Sequence, residues 1–158
     1  MVFTDSDWGG DKETRISVTG FIIFLMGVPI HWRSNGQRSV AISSSEAEFY
    51  ALSEAAKEIK FVFQLLCSME IPVKIPIIVR MDNVGAIFMT ENASTTSRTK
   101  HVDIRYHFVT EFVEEGFLKI IFVKSTENLA DGFTKNVNHE MYSRHIESYV
   151  SEKENWEK

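Results

Sequence analysis

Acidic residues in this chain stand where strands and helices begin or end. Asp5 and Asp7 lie in FTDSDW, residues 3–8; Glu46 and Glu48 lie in SSSEAEFYAL, residues 43–52; Asp82 follows the β-forming run IIVRM; Asp131 lies in ENLADGFTK, residues 127–135. Carboxylates converging from separated elements suit a hard divalent cation such as Mg²⁺. Several oxygens partly replace its water, and the cation offsets their mutual repulsion. Each acid also has a structural reading. Asp5 and Asp7 can end a strand that runs into the turn residues Gly9, Gly10 and Asp11. Asp82 can cap a helix, and Asp131 can be an exposed acid on a short surface helix.

The elements that must position these acids follow from residue pattern. In a strand over residues 2–8, Phe3, Asp5 and Asp7 share one face, and Thr4, Ser6 and Trp8 the other. The β-rich segments 17–27 and 29–34 predict a hairpin broken at Gly27 and Pro29, extended by a short piece at 38–43 beyond the turn SNGQ. Residues 44–70 predict a long helix, from its serine caps, its Ala, Glu and Lys content and its period. Its apolar stripe runs through Ala51, Leu52, Ala55, Ile59, Val62, Leu66 and Met69. One turn back from Leu52 is Glu48, at the edge of that stripe. Glu46 continues the outer face of Tyr50, Ser53, Lys57, Lys60 and Gln64. A carboxylate at the edge of a buried stripe costs several kcal/mol unless compensated. The helix N-terminus contributes only ~0.3–1 kcal/mol at an exposed site.

Further along, 77–81 predicts a buried strand running into a helix at 82–92, and 93–100 a polar loop. An amphipathic helix is predicted at 102–116, a strand at 117–124, a short helix near 127–133 and a polar helix in the tail. This order of three strands, helix, strand, two helices, strand and helix implies a mixed α/β sheet flanked by helices. The strand at 77–81 is reached through a helical crossover, so it should lie parallel to the strand at 2–8, with Asp5 and Asp82 near carboxyl ends, where such sheets gather ligands.

Composition narrows the function classes. A chain of 158 residues with 44% hydrophobic residues can bury a single-domain core. Its longest apolar run, residues 21–28, is too short to span a bilayer, and its start has no charged-then-apolar leader, so a soluble protein without a membrane partner is expected. Cys67 is the only cysteine, which excludes an internal disulfide and a cysteine zinc cluster. A net charge of −5 argues against gripping nucleic acid by bulk electrostatics, so such a role would need metal ions or a local basic patch.

Five strings, FTDSDW, SSSEAEFYAL, VRMDNVGAI, SRTKHVDIRYHFV and ENLADGFTK, resemble in order and spacing the ribonuclease H domain that ends the polyprotein of copia-type LTR retrotransposons. The resemblance covers residues 2–137 and leaves 138–158 as a C-terminal helical tail. It implies the ribonuclease H-like fold, a five-stranded mixed sheet flanked by helices. It further implies a two-metal nuclease cutting the RNA strand of an RNA·DNA hybrid to leave 5′-phosphates. By position it makes Asp5, Glu48, Asp82 and Asp131 the catalytic metal ligands, holding two Mg²⁺ ions or Mn²⁺ in their place. In that scheme the ions sit ~3.5–4 Å apart, bridged by Asp5, with Glu48 and Asp82 completing one position and Asp131 the other. Asp7 matches none of the family's ligands, which favours a structural role.

Candidate contacts to the hybrid are Ser43, Ser44, Ser45 and Asn83, beside the ligands in sequence, with helix capping as their structural alternative. A basic patch of Arg98, Lys100, His101, Arg105 and His107 is a candidate for the DNA-strand backbone, or else a solvated helix face. The implied partner is the reverse transcriptase domain of the same polyprotein, and the implied location is cytoplasmic, including virus-like particles. With four residues before Asp5, the chain is expected to be excised from that longer polyprotein or truncated at its first strand. The loop KSTEN, residues 124–128, has no histidine where many cellular and retroviral ribonucleases H carry one. A catalytically silent tethering module and a transposase or junction resolvase on the same fold are the alternatives.

Overall fold

The computed structural model describes residues 1–91 and 100–150, with backbone only at 91 and 100–103. Five strands form one mixed sheet: β1 (Val2–Asp7), β2 (Val18–Leu25), β3 (Val28–Gly36), β4 (Ile77–Met81) and β5 (Leu118–Phe122), in the order β3-β2-β1-β4-β5. The first three run antiparallel, and β4 joins β1, and β5 joins β4, in parallel. Helices α1 (Ser44–Ser68), α2 (Val84–Glu91), α3 (Lys100–Glu114) and α4 (His139–Val150) complete the order expected from the sequence.

The β2–β3 turn is Met26–Gly27, with φ of 51° and 82°, the two positive values that a two-residue hairpin turn matching strand twist demands. The piece expected as a strand at 38–43 is not one. The residues of SNG are spent inside β3, Gly36 pairing with Val18, and the chain then bends away from the sheet. Gln37 is the reason for that exit. Its buried amide donates to the Ser6 hydroxyl (3.1 Å), the Thr19 hydroxyl (3.2 Å) and the Ala47 carbonyl (2.9 Å), drawing the segment inward under α1.

β1 is the middle strand, so both its faces are covered. On one face Val2, Phe21, Ile23, Val79, Met81 and Leu118 pack beneath Leu52, Ala55, Ala56 and Ile59 of α1 and Tyr106, Val109 and Phe112 of α3. On the other, Phe3, Ile22 and Phe24 pack with Leu129 and Ala130, and with Phe133 and Tyr149 at the margin. Each fully buried side chain of this kind contributes roughly 1.5–3 kcal/mol, so the two cores hold β1 from both sides.

The α1 stripe is buried at Ala51, Leu52, Ala55, Ile59 and Leu66, while Met69 is exposed just past the helix end. Ser43 caps its start, accepting from the Glu46 amide at 3.1 Å. The short helix expected near 127–133 is instead two 3₁₀ turns, Ser125–Glu127 and Asp131–Phe133. They are parted at Asn128, whose fully buried side chain turns into the sheet instead of lying along a helix surface. In the tail, α4 packs on this turn region: the Tyr149 hydroxyl donates to the Leu129 carbonyl at 2.7 Å and its ring meets Phe133.

Candidate metal centre

Register brings the first two acids level. β1 pairs β4 through Val2 with Val79 and Phe3 with Arg80, and the same offset sets Asp5 beside Asp82 where both strands end. Glu48 projects from the first turns of α1, which crosses this end of the sheet. A carboxylate oxygen from each of Asp5, Glu48 and Asp82 lies within 4.8 Å of the others. Asp131 joins from the opposite face of β1, on the second 3₁₀ turn, and is 1% exposed like Asp5.

Asn83 resolves how Asp82 can be spared for such a cluster. The Asn83 carboxamide oxygen accepts from the Ala86 amide at 2.9 Å, so Asn83 caps α2 and the Asp82 carboxylate does not. The same oxygen accepts from the Ser45 hydroxyl at 3.2 Å, tying the starts of α1 and α2 together. The outer face expected of α1 is only partly outward: Tyr50 and Ser53 are buried, while Glu46 is half-buried and its carboxylate accepts from the Ile42 amide at 2.8 Å. Asp7 accepts from the Val18 amide across the β1–β2 ladder and thereby closes the hairpin end, a structural duty.

Burial dominates the electrostatics. It pushes Glu48 up to about 9, helped by the charges of Asp5 and Asp82. It pushes Asp131 up to about 7, with Asp5 adding to the rise and Lys135 opposing it. Asp5 is also raised by burial, against the Thr134 hydroxyl and Lys135. Glu48 Oε2 and Asp131 Oδ1 are buried without a hydrogen-bond partner among the described residues. Unpartnered buried carboxylate oxygens with raised pKa values are poorly matched to a resting structural role, and they are the hard ligands a divalent cation takes. These residues therefore fit Mg²⁺ or Mn²⁺, and loading would displace the proton of Glu48.

Three further residues hold the cluster, and sequence reasoning did not single them out. The Thr134 hydroxyl donates to Asp5 Oδ2. The Lys135 ammonium lies 3.2 Å from Asp131 Oδ2 and 3.6 Å from Asp5 Oδ2; although burial opposes it, those two acids raise its pKa and keep it charged. Asn128 donates to the Thr4 carbonyl at 3.0 Å and reaches Asp82 Oδ1 at 3.5 Å, while its oxygen accepts from the Ala130 amide at 3.1 Å. One side chain thus links the neighbours of Asp5 and Asp131 to Asp82. The available signal was position: Thr134 and Lys135 stand three and four residues after Asp131, one turn on.

Gly20 makes this approach possible. It pairs with Asp5 in the ladder, and a Cβ there would sit 2.6 Å from Thr134 Cγ2 and 2.9 Å from Phe133 Cβ.

The candidate substrate contacts divide. Ser43 and Asn83 serve as helix caps, Ser45 bonds Asn83, and Ser44 is exposed. Arg105 stacks its guanidinium 3.9 Å over the Tyr50 ring, beside a shallow hollow shared with Glu46, Phe49 and Met89. Arg98 lies outside the described residues, as do the side chains of Lys100 and His101.

The architecture is shared with ribonucleases H. LC11-RNase H1, solved in complex with an RNA/DNA hybrid, superposes with a TM-score of 0.59 at 16% identity, over 84% of this chain and 91% of that one. The foamy viral protease-reverse transcriptase, also solved with an RNA/DNA hybrid, gives 0.60 at 12% identity, over 84% of this chain and 19% of the viral protein. In sequence the chain is 37% identical over 133 residues to the retrovirus-related Pol polyprotein from transposon RE1 of Arabidopsis thaliana, spanning 84% of this chain and 9% of the polyprotein's length. No family model matches it. The protein has the ribonuclease H fold, a five-stranded mixed sheet flanked by helices. Its homologues are retrovirus-related Pol polyproteins from transposons, and it fits a ribonuclease H domain of a retrotransposon polyprotein.

Proposed function

We propose that this domain is a metal-dependent endonuclease that hydrolyses the RNA strand of RNA·DNA hybrids during reverse transcription of a copia-type retrotransposon, using two Mg²⁺ ions, or Mn²⁺, and yielding 5′-phosphate ends. The observation that carries this reading is the trio Asp5, Glu48 and Asp82 within 4.8 Å, on a fold whose solved relatives include hybrid complexes. Divalent ions held by these carboxylates and Asp131 would activate water and stabilise the leaving 3′ oxygen.

The chain's own part is to aim and charge-balance those ligands. Thr134 fixes the rotamer of Asp5, Asn128 holds Asp82 in step with β1, and Lys135 offsets the charge between Asp5 and Asp131. Ser45 and Asn83, joined beside Glu48 and Asp82, are the proposed contacts to 2′-hydroxyls in the wide minor groove, the feature by which a protein tells RNA from DNA. Arg98, Lys100 and Arg105 remain the candidate contacts to the DNA strand. The reverse transcriptase domain of the same polyprotein is the proposed neighbour, in the cytoplasm or in virus-like particles. Among the described residues no helix is long and apolar enough to cross a membrane.

The deciding assay incubates the chain with labelled RNA·DNA hybrid, duplex DNA and duplex RNA, each with Mg²⁺ or with a chelator. Cleavage of the hybrid's RNA strand alone, abolished by chelator, is expected. Retention of hybrid without cleavage at any Mg²⁺ concentration would instead support a silent tethering module.

A further inference from the structure

The four acids do not form one uniform site. Asp5, Glu48 and Asp82 make a three-carboxylate group, whereas the space between Asp5 and Asp131 already has a cation of the protein's own. Lys135 Nζ lies 3.2 Å from Asp131 Oδ2 and 3.6 Å from Asp5 Oδ2. Both carboxylate side chains are nearly inaccessible, at 2% and 1% exposure, while that of Lys135 is 43% exposed. A compact ammonium on a flexible four-carbon stem can leave such a place without moving the backbone. That backbone is anchored, its amide bonded to the Asp131 carbonyl at 3.1 Å.

We propose that Lys135 is the resident cation of the Asp5–Asp131 position, so that the free protein takes one divalent ion at Asp5–Glu48–Asp82 and admits a second only when a phosphodiester draws the ammonium away. A monovalent ammonium and a divalent ion cannot share two carboxylate oxygens at these distances, because their repulsion acts in a poorly hydrated place. A phosphate oxygen arriving at the cluster offers the ammonium an alternative partner of the same charge. Lys135 then acts as a positioning residue that couples loading of the second ion to substrate. The inference rests on the nuclease reading for its substrate, but its first test does not need turnover.

The test is a Mn²⁺ titration of the full chain followed by electron paramagnetic resonance and calorimetry. Wild type without nucleic acid should bind one ion, Lys135→Gln two, and Lys135→Arg, which restores the charge, one. If Lys135→Gln does not fold, the second measurement stands on wild type alone: an uncleavable hybrid with 2′-O-methylated RNA should raise the count from one ion to two. Two ions of similar affinity on the free wild type would overturn the proposal. So would a single ion on folded Lys135→Gln, or no second ion with the hybrid. A chain that passes the Lys135 titration yet leaves RNA·DNA hybrid intact would sink the nuclease function and leave the role of Lys135 standing.

Discussion

Two regions of this molecule gather acids, and they do so in opposite ways. Where β3 lies against α1, Glu58 meets His31 at 3.2 Å and Arg33 at 2.5 Å, and Glu54 meets Arg33 at 4.0 Å and Lys57 at 2.7 Å. Each acid there has a basic partner, and every member reaches water. At the carboxyl ends of β1 and β4, four acids share one lysine among the described residues. Three of them are buried, and two carboxylate oxygens have no hydrogen-bond partner among the described residues. A balanced, solvated network is complete as it stands and contributes little, about 0–1 kcal/mol per pair. An unbalanced, buried one leaves carboxylate oxygens open to a cation from outside, and that difference marks the second region as the candidate functional site.

The largest effects should come from breaking the unbalanced cluster. Asp5→Asn, Glu48→Gln and Asp82→Asn should each lower hybrid cleavage by at least about a hundredfold, the scale for losing one electrostatic element of an active site. Circular dichroism should show the fold kept, since the two Asp→Asn changes relieve crowded carboxylates and Glu48→Gln exchanges a carboxyl that burial keeps protonated for an amide of the same shape. A variant in this set that cleaves at the wild-type rate removes its residue from the ligand set.

Acidity gives the second test. Glu48 and Asp131 hold their protons more tightly folded than unfolded, because burial raises both. The stability tied to them is complete below the ordinary carboxyl range and is lost as pH rises through their folded values. In chelator, the unfolding free energy should fall between about pH 5 and pH 9 by up to about 1.4 kcal/mol per pH unit for each proton, and the melting temperature with it. Glu48→Gln should flatten the alkaline part of that slope, and Mg²⁺ should oppose it. A wild-type melting temperature that rises with pH in chelator would contradict the burial argument.

Gly20→Ala tests how the two faces of β1 meet at the cluster. The added methyl collides with Thr134 and Phe133, at an expected cost of about 1–3 kcal/mol. Mn²⁺ affinity should fall with it, because the turn bearing Asp131 and the hydroxyl bonded to Asp5 move together. Denaturant unfolding and calorimetry separate the two effects.

The smallest changes belong to the balanced region and its like. Glu58→Gln should cost under about 1 kcal/mol and leave cleavage untouched. Glu46→Gln should leave cleavage nearly unchanged as well, since its carboxylate serves the Ile42 amide and not the cluster. Inactivation by Glu46→Gln beside an active Glu48→Gln would mean that the helix faces have been assigned the wrong way round.

The contrast between Glu46 and Glu48 shows what can be read from one dimension. Helical period separates Glu48 from Glu46, because the faces of a helix are set by residue spacing, but it does not give the extent of the buried face: Tyr50 and Ser53, expected outward, are buried, Tyr50 beneath the Arg105 guanidinium of α3. The element order, the parallel placement of β4 on β1 and the position of Asp5 and Asp82 near carboxyl ends also follow from strand pattern and the need for a crossover, whereas the level of the two acids comes from the register. Charge and composition likewise limited the binding chemistry without any coordinates.

The tertiary structure alone decided what surrounds the acids. Thr134 meets Asp5 across 129 positions and Asn128 meets Thr4 across 124, contacts that no periodicity encodes. They depend on a turn closing against a glycine on a neighbouring strand. Gln37 replaced an expected strand with a bend for a similar reason: its three buried partners come from β1, β2 and α1. Local spacing governs which way a side chain points within its own element. Whether a lysine, a hydroxyl or an amide waits at the far end depends on how separate elements pack, and that is settled only when both faces of β1 are covered.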